Sequence, residues 1–183
     1  MKERPILFSG PMVRAILSGA KTQTRRVIKP QPVYLTDFWT PMWGWKEDTI
    51  MGGYDVSWCA DAPPEAIVEF CPYGKTGDQL WVRETHLVTA GGAVLYKADH
   101  PDLISGYCRP SIHMLRQHSR ITLEVTSVRV QRIRDISHQD GRAEVFDSLD
   151  GFALLWDRIN AKRGYGWHAN PWVWAVEFRA VKA

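Results

Sequence analysis

The chain has 183 residues, of which 45% are hydrophobic, and a formal net charge of +3. This length and apolar content suit one domain with a sizeable core. A charge this small excludes a polycationic tail, so binding to a polyanion would require the basic residues to share one face. Three scattered cysteines exclude a disulfide framework and a zinc knuckle, and they favour a reducing, cytoplasmic setting.

The chain begins with a pattern that predicts a strand followed by a helix. Pro5–Ser9 is a short apolar run, and Met1–Arg4 before it lacks the features of a secretory signal. Pro11 suits the first helical position, and Gly19 suits the left-handed residue at which many helices end. No apolar run approaches the roughly 20 residues that span a bilayer, so we expect no membrane partner.

A polar run, Lys21–Arg26, follows this helix and contains two hydroxyls, an amide, three cations and no acid. On an extended chain the side chains alternate, with Thr22, Thr24 and Arg26 on one face and Lys21, Gln23 and Arg25 on the other. The run is either a solvated strand edge or a functional site. The apolar segments on both sides favour a site held by the core.

The segment from about residue 32 to 71 has no strong period. Its aromatic residues are interleaved with glycine, proline and aspartate, and they include Trp39, Trp43, Trp45, Tyr54 and Trp58. We interpret it as an insertion of long loops with one short hairpin, within a single domain that covers residues 1–183. The many aromatic side chains favour an ordered insertion with a functional role.

Further strands are predicted in three segments. Gln79–Glu84 alternates so that Trp81 and Arg83 share a face, and Ala93–Ala98 is another short strand. Arg120–Arg134 is either two strands or one strand that bends near its middle. A short helix is expected at Ser111–His118.

The C-terminal part predicts two helices and a closing strand. Ser137 and Asp140 form a capping-box pattern that opens the first helix, which places Glu144 near a helix start. A second helix is expected over about Asp150–Asn160, and Pro171–Val181 alternates as a strand. Short strands with few helices predict a mainly β, α+β fold: a small, partly open β-barrel with packed helices.

The residue types limit the chemistry that the chain can perform. No histidine has a metal-ligand spacing and no G-x-S-x-G motif is present, so we expect neither a metal nor a cofactor. Lys21 could activate Thr22 or Thr24 if the pKa of its amine were lowered by burial among cations. The acid that such a site requires could be Glu84, Glu144 or Glu177.

Four stretches together resemble an ASCH domain, a member of the PUA-like superfamily. Ile16–Arg26 (ILSGAKTQTRR) is similar to the I-L-x-G-x-K-T-x-T-x-R signature of this family. Lys75–Leu80 (KTGDQL), Ile136–Phe146 (ISHQDGRAEVF) and the closing strand follow in the family's order. The resemblance covers most of the chain outside about 32–71 and 107–118. The tryptophan-rich insertion and Asn170–Trp172 make the chain most similar to the ASCH proteins of tailed phages and prophages.

The resemblance implies a five- or six-stranded barrel with a cleft that binds nucleic acid or nucleotides. One small bacterial branch implies an amidohydrolase that removes the acetyl group of N-acetylcytidine, using a lysine, a threonine and a glutamate. By motif position these residues are Lys21, Thr24 and Glu144 in this chain. The chain is nearly twice as long as members of that branch, so its insertion could line the cleft or close it.

The hypothesis from the sequence is therefore a cleft for a nucleoside, or for single-stranded nucleic acid, with amide hydrolysis as its chemistry. Lys21 would assist Thr24 or a water, and Glu144 would shuttle the proton. The residues expected to contact the base or a phosphate are Thr22, Arg25, Arg26, Trp81 and Arg83. The alternatives are a non-catalytic RNA- or DNA-binding module and a metal-dependent ribonuclease.

Overall fold

The computed structural model describes residues 1–35, 42–45, 64–102 and 107–182. Its strands are β1 (Glu3–Leu7), β2 (Gln23–Val27), β3 (Pro32–Leu35), β4 (Met42–Trp45), β5 (Gln79–Arg83), β6 (His86–Val88), β7 (Val94–Tyr96), β8 (Thr122–Arg132) and β9 (Trp172–Lys182). Its α-helices are α1 (Gly10–Leu17), α2 (His138–Ala143) and α3 (Leu149–Asn160). The fold is α+β, mainly β with packed helices.

The main sheet has five strands in the order β1-β5-β8-β9-β2. β1 and β5 are parallel, and the other neighbours are antiparallel. Within the described residues β1 and β2 are the two edges, so the expected barrel does not close through backbone pairing. A side chain joins the two edges instead: the Arg26 guanidinium on β2 donates from Nη2 to the Leu7 carbonyl oxygen on β1, at 2.5 Å.

Strand β9 separates two apolar clusters because its side chains alternate between the faces of the sheet. Trp174, Val176 and Phe178 belong to the larger cluster, which lies against β1, β5, β8 and α1. Val173 points to the other face, where a smaller cluster contains Phe152 and Trp156 of α3. Helices α2 and α3 therefore cover the face on which β2 presents Gln23, Arg25 and Val27, which pair with Glu177, Ala175 and Val173 of β9.

Most of the elements expected from periodicity are present. Helix α1 begins after Ser9 with proline in its first turn, and β8 is one strand whose register shifts between Val125 and Ser127. The short hairpin expected in the insertion is the antiparallel pair β3–β4. Ser111–His118 contains two short 3₁₀ turns in place of one helix.

The insertion is described only in part. Trp39, Tyr54 and Trp58 lie outside the described residues. In the ranges that the structure covers, none of the helices has the length and apolar character needed to cross a membrane.

Candidate functional site

The centre of the site is a buried ion pair between the start of β2 and the end of α2. Lys21 Nζ lies 2.5 Å from Glu144 Oε2 and 3.5 Å from the Glu144 carbonyl oxygen. The Lys21 side chain has no exposed surface, and the Glu144 side chain is 4% exposed. The two residues are 123 positions apart in the sequence, so only the tertiary fold brings them together.

A second buried cation reaches the same carboxylate. Arg25 Nη1 lies 3.4 Å from Glu144 Oε1, and Arg25 Nη2 lies 3.2 Å from Asp140 Oδ2. The side chains of Lys21, two residues before β2, and of Arg25, within β2, both lie on the side of α2, as the alternation of an extended chain predicts. The carboxylate of Glu144 is thus held between two cations at a place that water hardly reaches.

The network of polar contacts continues from Asp140 to Glu177 on β9. Gln23 Nε2 donates to Asp140 Oδ1 and to Glu177 Oε1, both at 3.0 Å. Arg129 bridges the same two carboxylates, at 3.0 and 3.1 Å. Burial alone would raise the pKa of Asp140, but hydrogen bonds from Gln23 and Ser137 and the charge of Arg25 hold it well below its usual range. Asp140 therefore keeps its negative charge at neutral pH and anchors α2 to the sheet.

Glu144 lies at the end of a helix, which corrects the expectation that it lies near a helix start. It follows the last residue of α2 as the C-cap. The negative end of a helix dipole disfavours a carboxylate, the reverse of the stabilisation that was expected there. The two buried cations, Lys21 and Arg25, offset this unfavourable position.

The C-terminal turn of α2 explains the position of Glu144 beside Lys21. The Phe146 N–H donates to the Gly141 carbonyl at 2.9 Å, and the Val145 N–H donates to the Arg142 carbonyl at 2.8 Å. This pair of bonds is the Schellman ending of a helix, in which glycine usually takes the left-handed position. Here that position is Val145, with φ 71°. The turn reverses the chain so that Glu144 meets Lys21 and Phe146, two residues later, lines a cleft.

The pKa of the Lys21 amine is lowered from its ordinary value. Burial is the largest cause, and the nearby charges of Arg26 and Arg25 act in the same direction. The charge of Glu144 and its hydrogen bond oppose this shift without reversing it. The sequence alone left the direction open, and burial decides it.

Glu144 and Thr24 both line a cleft of about 660 Å³ between the β2 edge and α3. Aromatic side chains form much of its wall: Phe8, Tyr73, Phe146, Phe152 and Trp156. Phe146 and Tyr73 are half-buried, so their rings retain surface that a ligand can cover. Lys21 is not part of this lining, and Glu144 is therefore the member of the ion pair that reaches the cleft.

Arg26 brings a positive charge to the same cleft. It is half-buried, its guanidinium lies 5.3 Å from the centre of the Phe8 ring, and its buried Nε has no hydrogen-bond partner. Burial lowers the pKa of Arg26, as expected for a cation that is shielded from solvent.

Three of the other residues expected to bind ligand lie away from this cleft. Thr22 is exposed and lines a separate polar pocket of about 350 Å³ with Arg129 and Asp140. Trp81 and Arg83 lie on β5 outside the cleft lining, with the Arg83 guanidinium 5.3 Å from the centre of the Trp81 ring. In the ranges described, no three His, Cys, Asp or Glu side chains are grouped so as to hold a metal ion.

Several cleft residues were not expected from the sequence as ligand contacts. The face of α3 was visible as a helical repeat, but the same repeat is typical of a core helix. Its inner residues Phe152 and Trp156 are indeed buried, while Ile159 is 48% exposed at the cleft. Nothing in the sequence pattern indicated that Lys29 and Arg163 line one cleft, because only the fold brings the segment after β2 close to the segment after α3.

We expect Glu144→Gln to lower the free energy of unfolding by about 3 kcal/mol, because it leaves two buried cations without their carboxylate. The deficit in the free energy of unfolding should narrow as the pH rises from neutrality toward about 10.4, the pKa of lysine in the unfolded chain. The pKa of Lys21 is already below its value of about 10.4 in the unfolded chain, so the unfolded state binds more protons and stability rises with pH. Losing Glu144 lowers that pKa further and strengthens this trend.

Urea unfolding of the unmodified protein and of Glu144→Gln, at neutral pH and at alkaline pH, measures how the difference in the free energy of unfolding changes with pH. The control is Glu124→Gln, since Glu124 pairs with the exposed Arg179 at 2.9 Å and should contribute under about 1 kcal/mol. Equal losses for the two variants would contradict the account of Glu144 as a buried, doubly paired carboxylate.

We expect Val145→Gly to raise the free energy of unfolding by about 1 kcal/mol, because a left-handed conformation costs an L-residue about 1–2 kcal/mol. Val181→Gly is the matched control. Both valines are 45% exposed, but Val181 lies in a strand, where glycine should destabilise. Thermal unfolding of the two variants should give shifts of opposite sign, and destabilisation by both would show that position 145 carries no backbone strain.

No family model and no curated protein matches the chain. Among solved structures the chain is similar to protein EF3133 from Enterococcus faecalis V583, described with the family model DUF984. The two chains are 11% identical, with a TM-score of 0.46 over 100% of this chain and 82% of the other. Similarity at this level carries no argument about activity, so the function is argued from the site.

Proposed function

We propose that the cleft between β2 and α3 binds a nucleoside in the cytoplasm. One observation carries the proposal: a cavity of about 660 Å³ combines aromatic walls with the poorly solvated cation Arg26. Ligand sites are commonly mostly apolar, with a few polar groups that fix orientation, and this volume lies within their usual range. The described cysteines, Cys71 and Cys108, are free thiols, which suits a reducing compartment.

The aromatic walls support recognition of a base. Unpaired bases stack on aromatic rings, and each such contact contributes about 1–3 kcal/mol. Phe146 and Tyr73 have the ring surface for this contact, since both are half-buried at the cleft. We assign the stacking role to these residues in place of Trp81, which lies outside the cleft lining.

The polar groups support recognition of the base edge. Arg26 offers donors beside the aromatic walls, and the carboxylate of Glu144 offers an acceptor. A base edge such as that of cytosine carries a carbonyl acceptor and an amino donor, which complement these two groups. The cleft therefore suits a planar ring with both kinds of polar group.

We expect Phe146→Ala to weaken cytidine binding on the order of tenfold, because it removes a stacking ring from the cleft. Isothermal titration calorimetry measures the dissociation constant. Phe146 also packs against the smaller apolar cluster, so Phe146→Leu is included to keep the packing while removing the ring. The matched control is Phe70→Ala, since Phe70 is 60% exposed outside the cleft. Unchanged affinity in both Phe146 variants would contradict a stacking role.

A second function, hydrolysis of an N-acyl cytidine, is favoured by the lining of the cleft, which includes both the hydroxyl residue Thr24 and Glu144. We propose that the Thr24 hydroxyl oxygen attacks the acyl carbonyl carbon while its proton passes to Glu144. The carbon–nitrogen bond then breaks, the exocyclic nitrogen takes that proton, and cytidine leaves. Water next attacks the acyl ester on Thr24 and releases the acid, which restores the hydroxyl.

In this scheme Lys21 acts through Glu144. Its side chain has no exposed surface and does not line the cleft, so a ligand would touch Glu144 and not Lys21. The role of Lys21 is to hold the carboxylate in place at the end of α2. Arg25, which is also buried beside Glu144, supports the same position.

We expect Thr24→Val to lower the release of cytidine from N-acetylcytidine at least 100-fold, because the change removes the hydroxyl and keeps the shape. Thr24→Ser keeps the hydroxyl and should retain most of the activity. These variants test the hydroxyl more specifically than Lys21→Ala does, because Lys21→Ala would also remove one of the buried cations that pair with Glu144. Chromatographic assay of cytidine measures the rate. Binding without release by the unmodified protein would identify a non-catalytic binding module.

A further inference from the structure

The charged residues that line the cleft are mostly basic. Glu144 is the acidic residue of the lining, and Lys21 and Arg25 already neutralise it. Three basic residues of the lining, Arg26, Lys29 and Arg163, take part in none of the ion pairs formed among the described residues. The cleft therefore carries an excess of positive charge that no carboxylate among the described residues balances.

Two of these cations, Lys29 and Arg163, are associated with the segment that follows α3. Lys29 follows β2, and its Nζ lies 5.0 Å from the centre of the Tyr165 ring. Tyr165 donates its N–H to the carbonyl of Asn160, the last residue of α3, and Arg163 lies between these two positions. Both Lys29 and Arg163 are exposed, so a ligand can reach them from solvent.

Thr24 and Lys29 occupy different positions along the wall of the cleft. Lys29 follows Thr24 by five residues, and the chain is extended from Thr24 to Val27, so their backbones are at most roughly 16 Å apart. A base stacked near Thr24 would leave Lys29 and Arg163 available to another part of the ligand. A phosphate attached to the sugar would extend the ligand toward those cations.

We infer that the preferred ligand of the cleft is a phosphorylated nucleoside, whose phosphate is bound by Lys29 and Arg163. The inference rests on the proposed nucleoside site and names the chemical class of its ligand. The Arg163 guanidinium provides two parallel donors for phosphate oxygens, and Lys29 adds a mobile positive charge. The phosphate belongs either to a free nucleotide or to the backbone of a single strand, and both present the same chemistry.

Calorimetric titrations with cytidine, cytidine 5′-monophosphate and a short oligocytidylate test the inference. The monophosphate should bind the unmodified protein at least on the order of tenfold more tightly than cytidine, because hydrogen bonds to a charged group add to the base contacts. Raising the salt from about 50 to about 300 mM should narrow the difference, since the cations are exposed. Still tighter binding of the oligocytidylate would indicate a strand as the source of the phosphate.

The double variant Lys29→Gln, Arg163→Gln should remove the preference for the monophosphate, so that cytidine and its monophosphate bind this variant with equal affinity. Arg158→Gln is the control, because Arg158 is an exposed residue of α3 outside the cleft lining. Equal affinity for cytidine and its monophosphate in the unmodified protein, or a preference that survives the double variant, would overturn the inference alone. Failure of all three ligands to bind would overturn the proposed function and the inference with it.

Discussion

The buried contact between Lys21 and Glu144 is the interaction on which the rest of the site depends. It joins the start of β2 to the end of α2 at 2.5 Å, with almost no exposure of either side chain. Two unpaired charges in this place would each be strongly unfavourable, and the pair offsets that cost only while both partners are present. The position of α2 on the sheet is therefore coupled to the charge state of these two residues.

The cleft follows from the same constraint. Because α2 ends in a left-handed turn at Val145, Glu144 faces the ion pair while Phe146 lines the cleft. The open side of the sheet completes the cavity, since β1 and β2 meet through the side chain of Arg26 and not through a backbone ladder. Within the described residues, the incomplete pairing of these strands leaves this edge of the sheet open at the cleft.

Local patterns in the sequence predicted much of the fold and part of the site. The alternation along Lys21–Arg26 correctly separated the side chains that face α2 from Thr24 and Arg26. The length of the helix before Glu144 was misjudged, because the capping box at Ser137 marks where α2 begins and no glycine marks where it ends. Trp81 was expected at the ligand site but lies outside the cleft, whereas the face of α3 was not expected to line it. The reason is that strand or helix periodicity identifies which residues share a face, but not which other part of the protein that face contacts.

A crystal structure of the Thr24→Val variant with cytidine 5′-monophosphate tests the central claim, that the cleft between β2 and α3 is the ligand site, most directly. We predict density for the base beside Phe146, close to Glu144, and density for the phosphate between Lys29 and Arg163. Density for the ligand in the polar pocket beside Arg129, or on the β5 surface away from the cleft, with the cleft empty, would contradict the account.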